Sequence, residues 1–146
     1  MQELNTLASK AIHGQVYPIV KPGYSREVTE ASNKFPVLLH LASGNVESRL
    51  LSELWRQAAA KYPEVKFCEI LGNMCIENYP DKNCPTILVY KDGDLSKNLV
   101  RLGEMRGMET RMADLERWMV GQGVLDRGDW RCKKATVEDA EDSDWD

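Results

Sequence analysis

No two of the four cysteines in this 146-residue chain stand at Cys-x-x-Cys spacing; they lie at Cys68, Cys75, Cys84 and Cys132. That excludes a zinc ribbon and a disulfide framework as the organising feature. In a reducing compartment all four are thiols. No apolar run approaches the ~18 residues of a membrane span. The start, Met1-Gln2-Glu3-Leu4-Asn5, has neither the basic residues nor the apolar stretch of a signal peptide. The expectation is a cytoplasmic protein with no membrane insertion. Glycines Gly103 and Gly107 lack the Lys-Ser/Thr context of a phosphate loop. Arg101, Arg106 and Arg111 form a basic run, but no aromatics interleave it. A solvated loop is expected there and no nucleic-acid partner.

What is present suits one domain: 42% hydrophobic and 29% charged residues. A monomer without cofactor is expected. The net charge of −4 is unevenly placed, because the last nine residues carry six acids and no base. Residues 126–146 are read as an acidic, disordered tail, and such an arm serves solubility or interaction. Residues 1–14 form a short N-terminal segment, with Leu4, Leu7, Ala8 and Ala11 at helical spacing. The domain is assigned to 15–125.

Within it, Val16-Tyr17-Pro18-Ile19-Val20 is a short β-type run. Pro18 cannot donate to a ladder, which places the strand at a sheet edge. Pro22 opens a helix carrying Tyr24, Val28, Ala31 and Phe35 on one face. Val37 to Leu41, broken only by His40, reads as a central strand buried on both sides. Asn45 caps the next helix, with Glu47 at its positive end and Leu50, Leu51, Leu54, Trp55 and Ala58 as its apolar stripe. Val65 to Ile70 alternates, Asn73 to Tyr79 is a short helical connection, and Thr86 to Tyr90 is a further strand. Lys91-Asp92-Gly93-Asp94 turns the chain into a partner strand, Leu95 to Leu102. Thr110 caps a last helix, with Met112, Leu115, Trp118 and Met119 facing inward. The order is β-α-β-α-β-α-β-β-α. Helices between the early strands favour parallel pairing, and the closing hairpin is antiparallel. Too few residues separate Tyr90 from Leu95 for the helix that a flavodoxin-like fold needs there.

The apolar strand, turn and helix from Val37, followed by the Pro-initiated strand at Pro85, resemble a thioredoxin fold: α/β, a mixed central sheet with flanking helices, and a C-terminal hairpin plus helix. Where a thioredoxin carries its Cys-x-x-Cys, this chain has Asn45-Val46-Glu47-Ser48. The turn is a vestigial active site. A dithiol enzyme needs a low-pKa thiolate at the helix N-terminus and a resolving thiol beside it, and the turn offers neither. The buried acid behind a thioredoxin's motif falls at Leu38 or Leu39.

More specific strings are Glu27-Val28-Thr29-Glu30-Ala31-Ser32, Val65-Lys66-Phe67, Asn78-Tyr79-Pro80-Asp81-Lys82-Asn83, Pro85-Thr86, Tyr90-Lys91-Asp92-Gly93 and Asp114-Leu115-Glu116. Over about residues 15–125 they resemble the phosducin-like protein family, particularly its second group. The resemblance implies a non-catalytic thioredoxin-like domain that acts by protein–protein contact. The implied role is as a co-factor of the cytosolic chaperonin in folding actin- and tubulin-type clients. Relatives in the first group bind G-protein βγ dimers, the alternative partner. Members of the second group commonly keep one Cys where this chain has Ser48. The family also carries a helical N-terminal region, of which residues 1–14 are read as a remnant.

The resemblance further implies that Pro85 is a cis-proline facing the turn. Cys84 before it has two readings: a lone thiol near the helix N-terminus, which sustains a thiol oxidoreductase as a further alternative function, or a small buried residue leading into a strand. His40, alone in an apolar strand, reads as a satisfied core histidine. Asp81 and Asp92 are explained by turn chemistry. No catalytic, cofactor or metal residue is assigned. In the tail, Trp130 and Trp145, with Glu141 and Asp142, are candidate partner contacts. Thr136 and Ser143, each with an acid three residues on, are candidate phosphosites.

Overall fold

A computed structural model describes residues 13–125. Its centre is β2, Val37–Ala42, buried along its whole length. β2 pairs in parallel with β3, Lys66–Leu71, and antiparallel with β4, Thr86–Lys91. β1, Val16–Pro18, lies parallel on the far side of β3, and β5, Asp94–Val100, lies antiparallel beyond β4. The five-stranded order is β1-β3-β2-β4-β5. Pro18 therefore ends an edge strand, where a missing N–H leaves no ladder bond unmade. β3 is not the alternating strand expected: the helices Val46–Lys61 and Met112–Gly121 cover its Phe67 face and the segment carrying Glu27 and Val28 covers the other, where even Lys66 is buried.

Two helices cover one sheet face, α1 at Val46–Lys61 and, later, α3 at Met112–Gly121; α2, Gly72–Cys75, is a single turn between β3 and β4. The core on the α1–α3 side joins Leu38, Phe67, Ile87 and Val89 to Leu51, Trp55, Leu115 and Met119. Trp55 and Phe67 meet edge to face at 5.1 Å, and Trp55 Nε1 donates to the Cys68 carbonyl at 2.9 Å, so the indole is buried without an orphaned donor. Glu116 is buried on this side too, accepting from Tyr62 Oη and pairing with Lys61 Nζ at 2.7 Å. Met112 and Trp118 are only partly buried.

The opposite face packs Leu39, Leu41, Cys68 and Ile70 against Ile19 and Val28. The helix expected from Pro22 is irregular: a 3-10 turn at Lys21–Gly23, a π-type turn at Ser25–Glu30 and a 3-10 turn at Ala31–Asn33. Ser32 Oγ donates back to the Thr29 carbonyl at 2.6 Å, competing with a regular ladder. Tertiary ties fix the path of this segment. Tyr24 Oη meets Tyr90 Oη at 2.6 Å, and Lys66 Nζ donates to the Glu27 carboxylate and carbonyl, both at 2.9 Å. Ser32 holds the hairpin turn, its carbonyl accepting from Asp92 N–H and its hydroxyl from Gly93 N–H, each at 2.8 Å.

Two other expectations shift. The connection after β3 is helical only over Gly72–Cys75, because Ile76 is extended and Asn78 turns left-handed at φ +61°. Thr110 does not cap α3. Its hydroxyl donates to the Gly107 carbonyl at 2.7 Å and accepts from Arg106 N–H at 3.1 Å, and Arg111 takes the cap position.

The hairpin turns on Asp92 and Gly93, both at positive φ (+54° and +86°), the geometry two-residue hairpins favour. A Cβ on Gly93 would sit 2.9 Å from Asn33 Oδ1. Gly93→Ala is expected to cost about 1–2 kcal/mol, from left-handed strain and displacement of Asn33. Urea denaturation checks it: the midpoint falls with an unchanged slope, and an unchanged midpoint contradicts the tie.

Candidate functional site

The segment from Ser43 to Ser48 joins β2 to α1, and each of its polar side chains is engaged. Asn45 Oδ1 accepts the Ser48 N–H at 2.8 Å, closing an N-cap. Its amide nitrogen reaches out of the helix, donating to the carbonyls of Asp81 at 3.1 Å and Cys84 at 2.9 Å. Ser43 Oγ accepts the Asn45 N–H at 3.1 Å, and buried Ser48 Oγ accepts the Ser43 N–H, also at 3.1 Å. Glu47 Oε1 accepts the Leu102 N–H at 2.6 Å, and its Oε2 lies 3.3 Å from Arg101 Nη2. Val46 alone is turned out, at 63% exposure. The turn ties the loop before β4 to the loop after β5.

The Cys84–Pro85 peptide bond is cis. Cys84 is only 2% exposed. Its sulfur lies 3.9 Å from the Pro80 carbonyl oxygen and so close over Gly72 that a Cβ there would stand 2.9 Å from it. Burial, then the negative charge of Asp81, push the thiol above its ordinary pKa, against a smaller opposing effect from Ser43. Near neutral pH it is a protonated thiol, the reverse of what a nucleophile needs. Cys68 is pushed up to about 12 by burial. Leu38 and Leu39 are fully buried and apolar. A cavity of about 270 Å³ opens beside the turn, lined in part by Ser43, Gly44, Asp81 and Cys84.

The sequence gives no partner to His40, and the sheet register supplies one. His40 pairs with Glu69 across β2 and β3, with Nδ1 2.8 Å from Glu69 Oε2. Ser52 Oγ donates to the same oxygen at 2.8 Å. His40 holds the Glu69 carboxyl below the usual carboxylate range, the largest of several effects. The cluster lacks the order of a hydrolytic triad, in which the imidazole stands between hydroxyl and acid. Here the acid stands between, and His40 is fully buried with Nε2 unpartnered. Among the described residues no group of three or more His, Cys, Asp or Glu is placed to hold a metal ion, and no helix is long and apolar enough to cross a membrane.

Several of the specific sequence strings prove to be joined to one another, and others tie into their surroundings. Glu27 meets Lys66, and Ser32 meets Asp92 and Gly93. Tyr79 Oη meets Thr86 Oγ1 at 2.5 Å, and Thr86 Oγ1 donates to the Asn83 carbonyl at 2.7 Å. Asp114 accepts the Arg111 N–H at 2.8 Å, and Lys91 Nζ donates to the Gln122 carbonyl at 2.9 Å. The Phosducin family model matches residues 11–145. The chain belongs to the phosducin family. Phosducin-like protein 2 of Saccharomyces cerevisiae is 38% identical over 150 residues, covering 90% of this chain and 52% of the relative. A phosducin-like protein of Schizosaccharomyces pombe is 38% identical over 143 residues, covering 97% and 61%. The chain thus spans between half and two thirds of the length of these relatives.

Solved thioredoxins share the fold. Thioredoxin f2, in complex with ferredoxin:thioredoxin reductase, superposes with a TM-score of 0.59 at 18% identity, covering 75% of this chain and 96% of that chain. Spinach chloroplast thioredoxin f, long form, gives 0.58 at 18% identity, covering 80% and 93%. At this identity the likeness establishes the thioredoxin fold alone. Trp130, Trp145, Glu141, Asp142, Thr136 and Ser143 lie outside the described residues.

Because Cys84 is buried and protonated, native chain treated with a disulfide reagent at pH 7.5 should label Cys84 far more slowly than free cysteine, and urea should remove the difference. Peptide masses locate the adduct. A native rate equal to that of free cysteine restores a reactive thiol.

Proposed function

We propose that this phosducin-family chain is a non-catalytic binding module of the cytoplasm, a co-factor of the cytosolic chaperonin that modulates folding of actin- and tubulin-type clients. One observation carries the non-catalytic part. The turn that would carry redox chemistry on this fold spends its side chains on internal ties, and Cys84, the thiol beside it, is buried. Such a turn is a vestigial active site kept for its geometry. The chaperonin part rests on family membership and on the likeness to proteins named phosducin-like protein 2. In this account Trp130 and Trp145, with the acids Glu141 and Asp142 between them, anchor the partner. Phosphate on Thr136 or Ser143 would add about −1.5 to −2 charge at each.

The test immobilises the full chain and offers it purified chaperonin and purified G-protein βγ in separate arms, beside an insulin-reduction assay with dithiothreitol. Retention of chaperonin over βγ, with insulin precipitating no faster than in buffer, is the expected result. Preferential retention of βγ changes the partner. Insulin reduction that disappears in Cys84→Ser overturns the non-catalytic account.

A further inference from the structure

The sheet face opposite α1 is only half covered. The irregular segment from Lys21 packs over β2 and β3, but the β3–β4 connection supplies no long helix, only the single turn of α2 and a 3-10 turn at Asp81–Asn83, with Cys75 and Tyr79 packed on this face. A groove of about 640 Å³ is left over β4 and β5, walled by Lys21, Tyr24, Ile76, Leu88, Tyr90 and Leu95. That is within the range of sites that take a compact ligand or a few side chains. Ile76 is 45% and Leu95 51% exposed, so large apolar groups face water on both sides of it.

Most hydroxyls in the wall are already satisfied. Tyr24 and Tyr90 bond each other, and Thr86 bonds Tyr79 and the Asn83 carbonyl. An occupant therefore meets a largely apolar surface. The exception is Lys21, the only charged residue of the lining, which has no ion-pair partner among the described residues. Its charge is felt within the groove, where it opposes the effect of burial on the Cys75 thiol. Lys21 is itself exposed at the groove's rim, and an occupant that carries a carboxylate gains an ion pair there that an uncharged one does not.

We propose that this groove docks a short segment of a partner protein that presents bulky apolar side chains and a carboxylate, the carboxylate meeting Lys21. The proposal deepens the binding-module account and rests on it, naming the surface by which contact is made.

The probe is a pair of synthetic peptides, acetyl-Leu-Ser-Phe-Ser-Leu-Asp-Asp and the same sequence ending in two lysines, titrated into isotope-labelled full chain. The acidic peptide is expected to shift the amide resonances of Leu88, Tyr90 and Leu95 and to bind more tightly than the basic one. Lys21→Glu should weaken the acidic peptide by about fivefold, the effect of one partly exposed ion pair, and Leu95→Asp should abolish the shifts. Both positions are exposed, and a dispersed amide spectrum confirms that each variant is folded. Equal affinity for the two peptides, an unchanged affinity in Lys21→Glu, shifts confined to another face, or no shifts at all would overturn the proposal. Chaperonin plays no part in this titration. Failure of charge selectivity therefore fails the groove alone, whereas failure of the parent chain to retain chaperonin fails the wider account.

Discussion

One side chain holds the functional end of this domain together. Asn45 caps α1 through its carbonyl and, through its amide nitrogen, grips two backbone oxygens of the loop that leads into β4. A cap is worth about 1 kcal/mol, and each further neutral hydrogen bond contributes about 0.5–1.5 kcal/mol. The sum is a sizeable fraction of the 5–15 kcal/mol that holds a domain folded. The position of α1 against the Cys84–Pro85 bend depends on it, and Glu47 two residues on performs the same service for the loop after β5.

That use of the turn explains how the scaffold persists without a Cys-x-x-Cys there. A redox turn must keep its thiols accessible and one of them ionised. Here each polar side chain is engaged by neighbours, and the adjacent thiol is shut in by Gly72 and the Pro80 carbonyl. The strings that mark the phosducin family behave alike. Lys66 with Glu27 and Ser32 with the hairpin each bridge elements that are distant in sequence, and Thr86 with Asn83 fixes the loop into β4. They specify a shape with a half-open face, which suits contact with other proteins better than transformation of a small substrate.

Much of this was legible in the residues because it rests on local signals. Pro18 placed β1 at an edge, the apolar run from Val37 placed β2 at the centre, Asn45 read as a cap, and Asp92-Gly93 read as a tight turn. What escaped depends on register and tertiary pairing. Glu69 reaches His40 from 29 positions away only because β2 and β3 align in parallel. Glu116 is buried because Tyr62 and Lys61 meet it, which no helical periodicity reveals. β3 alternates in sequence yet is covered on both faces, since the residue pattern does not show that Glu27, remote in sequence, meets Lys66 on the face opposite Phe67. The helix at Tyr24 loses its regular pitch to contacts with Tyr90, Lys66 and the hairpin, all remote in sequence.

Asn45→Asp separates the two halves of the clamp, since Asp caps a helix as well as Asn does but cannot donate a hydrogen bond. Native-state amide exchange on this variant tests the central claim directly. The Ser48 amide should keep its protection, while the Asn83 and Cys84 amides, bonded to Pro80 and Asp81 within the gripped loop, should exchange roughly tenfold faster, as loss of about 1.4 kcal/mol implies. Unchanged exchange at Asn83 and Cys84 would contradict the claim that the turn is retained to hold that loop.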